Sequence, residues 1–578
     1  MLMMKDSIQD SLREHITAAL AKLSLSGKIV IERPADLANG DYSTNVALAL
    51  AKSAGIPPRE LAEKIVAQLQ QLPQLEQVER MSVAGAGFIN FFLSKDFYEK
   101  EIARILGDGK DFGKGEILSG KKVMVEYTQP NPFKPFHIGH LMSNAIGESI
   151  SRVFANQGAE VIRANYQGDI GLHVAKALYG ILKKGGAYPS GSVSEIADYI
   201  GECYVVGAHA YENDADAIEE IDSLNKRLYE KDGEIWPLYE EGRKITLDAF
   251  EELYKILGTK FDVYYFESDM AETGKQLVQE FLEKGVFENS DGAIVFHAEK
   301  FDPKLHTRVF LTSAGLAPYE AKELGLTVKK FADYDPDISI VDTATEQKDY
   351  MSVLIEAIRR MFPKEKYADR MIHITHGMMR FASGKMSSRK GNVVTGVSLI
   401  RDTVETILEK MKDRDLSEAE KKNVAEIIGV AAIKYSILRS KTGSDIVYDV
   451  EKSISTEGDS GPYLQYAITR AGSVLEKAKK ENIAPDLGAR HLSEVSNLEK
   501  LLVRYPEVVL RAWEEIEPHH VVTYLTELSS AFNSFYAKEK IVDAADPASS
   551  RRLALTLAFK TVMENGLDIL GIRIPDKM

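Results

Sequence analysis

Residues Val123–Leu141 read V-M-V-E-Y-T-Q-P-N-P-F-K-P-F-H-I-G-H-L, and the change of pattern inside this stretch decides the fold. Val123–Tyr127 is an apolar, β-rich run that predicts a buried strand. Pro130, Pro132 and Pro135 then enforce an extended turn, because the ring fixes φ and biases the preceding residue away from helix. After His140, Met142, Ile146, Ile150 and Val153 recur at helical spacing. His137 and His140 therefore fall at a strand–turn–helix junction, where free backbone N–H groups and the helix dipole attract phosphate. Gly139, without a Cβ, lets a ligand approach the backbone. Taken alone, H-I-G-H is also satisfied by two ordinary core or surface histidines.

Outward from this stretch, Val161–Tyr166 predicts a second strand, so the unit opens as a parallel, doubly wound sheet whose ligands bind at the strands' carboxyl ends. Asn165–Asp169 ends that strand facing the same crevice. Ile170 to about Phe261 is mostly charged helix and reads as an insertion. Phe261–Phe266 and Ala293–His297 return to strand, and Val309–Thr312 and Ile338–Asp342 read as further core strands. Ile372–Phe381 is another strand-like stretch. It leads into A-S-G-K-M-S-S-R-K-G-N (Ala382–Asn392), a polar, basic loop bracketed by glycines. Such a loop is either a solvated surface turn or a carrier that brings Lys385, with Arg389 or Lys390, onto a polyphosphate.

The N-terminal part predicts a helix over residues 5–23, a strand at Lys28–Glu32, a helix over Asp41–Ser53 closed by Gly55, and a helix opened by Pro57-Pro58. Strands near Val78–Val83 and Phe88–Leu93 complete an α+β unit, and the five glycines of Gly107–Gly120 read as a linker. From about Leu399 onward the pattern is almost entirely helical, broken at Asp459–Pro462. Its long helices include Ser496–Trp513 (broken near Pro506), Pro518–Ala537 and Ser550–Leu570.

At 578 residues the chain is long enough for about four domains. Its single cysteine, Cys203, excludes an internal disulfide framework and a multi-cysteine zinc site. A net charge of −15 argues against indiscriminate nucleic-acid binding, though local basic patches remain compatible with an RNA partner. No apolar run long enough to span a membrane and no export signal is legible, so a cytoplasmic protein with no membrane partner is expected.

The histidine turn followed by K-M-S-S-R resembles the class I aminoacyl-tRNA synthetases, and within them the chain resembles the arginyl-tRNA synthetases from end to end. The resemblance runs through G-D-Y-S-T-N (Gly40–Asn45), N-Y-Q-G-D-I-G (Asn165–Gly171), G-D-S-G-P-Y-L-Q-Y-A (Gly458–Ala467) and E-P-H-H-V-V-T-Y-L (Glu517–Leu525) to the closing N-G-L-D-I-L-G-I-R-I-P-D-K-M. It implies an α/β protein. An N-terminal α+β tRNA-binding add-on (1–112) precedes a Rossmann-like catalytic domain (113–397) with a helical insertion (about 176–300). A helical stem (398–455) and an all-α anticodon-binding bundle (456–578) follow.

The resemblance also implies the chemistry: ATP and L-arginine form arginyl-AMP, and the arginyl group passes to the 3′ terminal adenosine of tRNA(Arg). His137, Gly139 and His140, with Met386, Ser387 and Ser388, would hold ATP. Lys385 would neutralise the departing phosphates, shared with Lys134, since many relatives use a lysine just before the histidines instead. Magnesium is expected with the ATP phosphates, with no protein metal site. Glu126 and Asn131 match residues near the amino-acid backbone, and Tyr319, Glu323 and Gln347 match the side-chain pocket, with Asp342 or Glu346 available to share charge. Glu323 stands where the family usually has aspartate. A guanidinium, planar and permanently charged, requires such a carboxylate. Asn45, Tyr463 and Tyr466 are tRNA candidates, as are Tyr524, Phe535, Tyr536 and a basic cluster of Lys434, Arg439 and Lys441. A monomer is expected. The rival from another class is a non-enzymatic tRNA-binding paralogue.

Overall fold

The structure, a computed structural model, describes residues 8–73, 75–382, 394–488 and 494–578. Lys385, Met386, Ser387 and Ser388, with Arg389 and Lys390, lie outside the described residues. The chain divides into two compact units, one built on Leu118–Tyr466 with Arg511–Thr523 and Leu567–Met578, the other on Met1–Ile117, Ala467–Leu510 and Tyr524–Gly566.

The larger unit centres on five parallel strands: β1 (Lys122–Glu126), β2 (Glu160–Gln167), β3 (Val263–Phe266), β4 (Ile338–Ala344) and β5 (Met371–His376), in the order β5-β4-β1-β2-β3. The order reverses between β1 and β4, which opens a crevice at their carboxyl ends. The helix Ile138–Asn156 crosses from β1 to β2 and is buried along most of its length. A Cβ on Gly147 of that helix would lie 2.2 Å from the Tyr127 ring, so glycine alone permits that packing.

Four helices follow β2: Leu172–Lys183, Val193–Asn213, Ala215–Tyr229 and Trp236–Leu257, packed around their own core that includes Leu178, Ile221 and Cys203. Phe133 of the proline turn stacks on Tyr239 of this group at 5.8 Å. Val309–Thr312 is not a strand of the main sheet, as the sequence led us to expect. Thr307–Leu311 pairs antiparallel with Ala293–His297, itself paired with Glu288–Ser290. Asp291 and Gly292 join the last two with φ of 48° and 80°, the left-handed pair that a tight hairpin requires.

Ile372–Phe381 likewise is not one strand. It stops at His376, and Met379–Phe381 pairs with Ile446–Tyr448, a short strand absent from the sequence reading of the helical half. Gly377 sits at the break because a Cβ there would meet the Ser444 carbonyl oxygen at 2.4 Å.

In the smaller unit, strands order as Ile31–Glu32, Tyr42–Thr44, Phe88–Leu93 and Val78–Ala84, all antiparallel. The expected helix over Asp41–Ser53 begins only at Val46, because Tyr42–Thr44 is taken by the sheet. The glycine-rich segment is shorter as a linker than its composition suggests, since Lys95–Asp108 is helix. Asp41 accepts from Leu93 N at 2.8 Å and from the Tyr98 hydroxyl, while Arg33 Nε donates to Glu507 at 2.7 Å and Tyr42 bonds the same carboxylate. The helix expected over Ser496–Trp513 is two, Asn497–Leu502 and Tyr505–Glu515, with Pro506 in the tolerated first turn of the second.

Candidate active site

The turn that carries the histidines is strained. Thr128, Gln129 and Phe133 hold φ of 75°, 50° and 66°, a region that non-glycine residues occupy at a cost and that clusters at functional sites. Asn144 steadies it by donating to Thr128 Oγ1 at 3.0 Å, and Thr128 N donates to Ser143 Oγ at 2.9 Å.

His137 caps the helix Ile138–Asn156. Its own N–H donates to His140 Nδ1 at 3.2 Å, and the His140 N–H donates to His137 Nδ1 at 3.4 Å. The rings stack with centroids 3.4 Å apart. Because each Nδ1 accepts, each imidazole is the neutral tautomer with its proton on Nε2, a donor free for a phosphate oxygen. Crowding by protein around the crevice, with Lys134 and His376 adding repulsion, pushes His137 down to about 4 although its ring opens to solvent. Burial, His137 and Lys134 hold His140 well below the usual histidine range. Gly139 keeps this corner uncrowded: a Cβ would stand 3.0 Å from the His137 ring, which would have to give way, and 3.8 Å from His376. His376, buried at the end of β5 with Nδ1 3.0 Å from the Gly377 carbonyl, is a third histidine that the sequence reading passed over.

Gly396 N donates to the Phe136 carbonyl at 2.8 Å and Thr395 bridges His137, so the segment that resumes at residue 394 is tied to the histidine turn.

On the other side of the crevice, Asn131 Oδ1 accepts from Gly168 N at 3.0 Å, and a Cβ on Gly168 would meet Asn131 at 2.7 Å and Glu267 at 2.9 Å. Glu267 pairs with Lys322 at 2.7 Å, and the Lys322 ammonium lies 5.4 Å from the exposed Tyr319 ring. Lys134, half-buried, has its pKa lowered by burial and by Lys176, with Glu267 opposing. Asp169 is structural, held by Arg243 Nε at 2.9 Å and by Ser268 Oγ at 2.8 Å.

Glu126, at the end of β1, is 1 % exposed and pairs with Lys330 at 2.7 Å, taking a second bond from Gln129 at 2.8 Å. Glu323 is half-buried on the same helix face as Lys330, seven residues earlier on Tyr319–Tyr334. Burial and the charge of Glu126, opposed by Lys330, push Glu323 up to about 8. Glu320 pairs with Arg308 at 3.0 Å. Glu126, Glu267 and Glu320 thus each have a cation and Glu323 has none among the described residues. The Tyr166 and Tyr350 hydroxyls are buried without partners.

Gln347 is exposed at the start of helix Lys348–Met361 and makes no hydrogen bond to these residues. Asp342 is fully buried on β4, pushed up to about 6 by burial, with Ser143 and His376 as its polar neighbours. Glu346 is exposed in the turn after β4. Lys322 and Lys329 are not partners of Glu323: Lys329 pairs with Asp333.

Of the RNA candidates, Asn45 starts the helix Val46–Ala54 without capping it with its side chain, and Tyr463 and Tyr466 lie half-buried and exposed on Gly461–Lys480. Two nominations fail. Lys434 is fully buried, donating to the Leu257 and Gly571 carbonyls at 2.7 Å each, and so cannot meet a phosphate. Tyr524 is buried and donates to the Leu501 carbonyl at 3.0 Å, so its ring cannot stack on a base.

The family model for the class I tRNA synthetase (R) catalytic domain matches residues 101–450, the arginyl tRNA synthetase N-terminal domain 10–93, and the DALR anticodon binding domain 464–578. An arginine–tRNA ligase of Clostridium botulinum is 30% identical across 99% of this chain and all of its own length. One from Fusobacterium nucleatum is 32% identical over 93% of each. The solved arginyl-tRNA synthetase of Thermus thermophilus superposes with a TM-score of 0.80 at 25% identity, covering 99% of this chain and all of that one. Over its catalytic, N-terminal and anticodon-binding regions alike, this chain belongs to the arginyl-tRNA synthetase family of class I.

Proposed function

We infer that the chain activates L-arginine with ATP and transfers it to the 3′ terminal adenosine of tRNA(Arg). The observation that carries the activation step is the pair of neutral histidines at the helix N-terminus, each with its Nδ1 accepting from the other's backbone N–H.

An arginine carboxylate oxygen attacks the α-phosphorus of ATP, the bond to the β-phosphate breaks, and pyrophosphate leaves. His137 and His140 donate to the non-bridging oxygens as charge builds there, alongside the first-turn N–H groups of the helix. Lys134 neutralises the departing phosphates from the crevice wall, and Lys385 does so from the loop. The ribose hydroxyl of the tRNA terminus then attacks the arginyl carbonyl, and AMP leaves with the electron pair.

Glu323 receives the guanidinium, supported by its lacking, among the described residues, the ion pair that Glu126, Glu267 and Glu320 each have. Asn131, Tyr319, Gln347 and Glu126 border the amino acid, Glu126 acting through its fixed pair with Lys330. Gly139, Met386, Ser387 and Ser388 complete the ATP site. Magnesium would enter with the ATP phosphates, which would supply most of its ligands. Asn45 contacts the tRNA from the N-terminal domain, and Tyr463 and Tyr466 from the helical one. The whole-chain resemblance supports a cytoplasmic monomer.

The test is attachment of each labelled amino acid to total tRNA by wild type and by His140→Ala. Arginine alone should be attached, and the variant should lose ~10²–10³-fold in rate. A different amino acid would sink the Glu323 pocket; tRNA binding without any attachment would favour a binding paralogue.

A further inference from the structure

Buried hydroxyls in native folds almost always have partners. Tyr166, next to last in β2, and Tyr350, in the first turn of Lys348–Met361, are exceptions, with phenolic oxygens buried and unpartnered. Both residues are at least nine-tenths buried. Tyr166 packs in one apolar cluster with Leu326, and Tyr350 in another with Ala321 and Leu324, all three on the helix that carries Glu323, and the charge of Glu323 raises the pKa of each further after burial has done so. Arg308, the one cation near Tyr350, lies 5.3 Å over its ring and is bound to Glu320.

A guanidinium has five N–H donors in a fixed plane. A single carboxylate takes two of them in a fork. Three donors are left over, and leaving them unpaired in a buried pocket would cancel the gain from the ion pair. The two phenols are unused acceptors on elements packed against the helix of Glu323.

We propose that Tyr166 and Tyr350 are specificity-determining residues, whose hydroxyl oxygens accept guanidinium N–H groups that Glu323 leaves over; this rests on the reading of Glu323 as the guanidinium's carboxylate. They give the pocket a count of acceptors as well as a charge. A site that counts donors rejects a ligand lacking one far more strongly than an apolar pocket does.

The experiment is Tyr166→Phe and Tyr350→Phe in the full chain, with thermal melting and the KM for arginine, for ATP and for Nω-methylarginine in amino-acid activation. Removing an orphan hydroxyl leaves the melting temperature of the free protein unchanged or raised. The arginine KM should rise about tenfold or more, the ATP KM should stay within about twofold, and discrimination between arginine and its methylated form should fall. An unchanged arginine KM overturns the proposal. So does a drop in melting temperature with both KM values rising together, which is what a structural role would give. Glu323→Gln separates the two levels: if it leaves arginine affinity intact, the pocket reading itself fails. If it abolishes affinity while both phenylalanine variants behave as wild type, only the tyrosine proposal fails.

Discussion

Lys330→Met removes one half of an ion pair in which both side chains are 1 % exposed and 2.7 Å apart. Methionine keeps the unbranched length of lysine, so the packing of helix Tyr319–Tyr334 changes little and the loss is electrostatic. What remains is a carboxylate at the end of β1 with a single neutral hydrogen bond, from Gln129. Breaking such a pair from one side costs ~3–5 kcal/mol. In a cooperative block the size of the larger unit, that lowers the melting temperature by about 5 °C. The assay is calorimetry and urea unfolding of wild type, Lys330→Met and the double variant Glu126→Gln/Lys330→Met. Removing both charges should recover most of the loss, because no uncompensated carboxylate is left. A Lys330→Met loss under ~1 kcal/mol, or a double variant no better than the single, would refute the argument that Glu126 is held as a buried charge.

Three further outcomes follow from the same geometry. Glu323 has its folded pKa raised to about 8, so the free protein binds a proton there that the unfolded chain does not. Its contribution to stability is therefore full below the ordinary carboxylate range and fades as pH rises through about 8. A guanidinium needs the carboxylate, so arginine affinity should climb about tenfold per pH unit up to that point and then level. Titration calorimetry reads this, and Glu323→Gln should flatten it. Gly147→Ala drives a Cβ to 2.2 Å from the Tyr127 ring, and should destabilise by ~1–3 kcal/mol or more in urea unfolding. Tyr463→Ala and Tyr466→Ala should each weaken tRNA binding by ~1–3 kcal/mol if a base stacks there; unchanged binding would remove them from the interface.

The Val123–Leu141 stretch made the strand, the turn and the helix legible because each depends on local chemistry: an apolar run, three prolines, a 3.6-residue period. The helical C-terminal half was legible for the same reason. Val309–Thr312 was misplaced because an apolar run has the same composition in a parallel sheet as in an antiparallel one, and only its pairing partner tells them apart. Glu126 could be nominated for the site by resemblance, but its bond to Lys330 spans 204 positions and no local pattern announces it. Lys434 shows the converse: beside Arg439 and Lys441 it reads as a surface cation, and it is buried because the carbonyls of Leu257 and Gly571 meet there.

What the sequence by itself determined was the kind of chemistry: two histidines at a helix start, a basic loop far downstream, and a parallel sheet whose strand ends face them. Local propensity and short-range spacing suffice for that. The tertiary structure alone decided the balance of charge. Which carboxylate already has a cation, which has none, and which hydroxyls are buried without partners depend on residues from β1, β2 and three helices meeting in one crevice. Such pairings are set by distances in space, and a distance in space is not a property of any single stretch of chain.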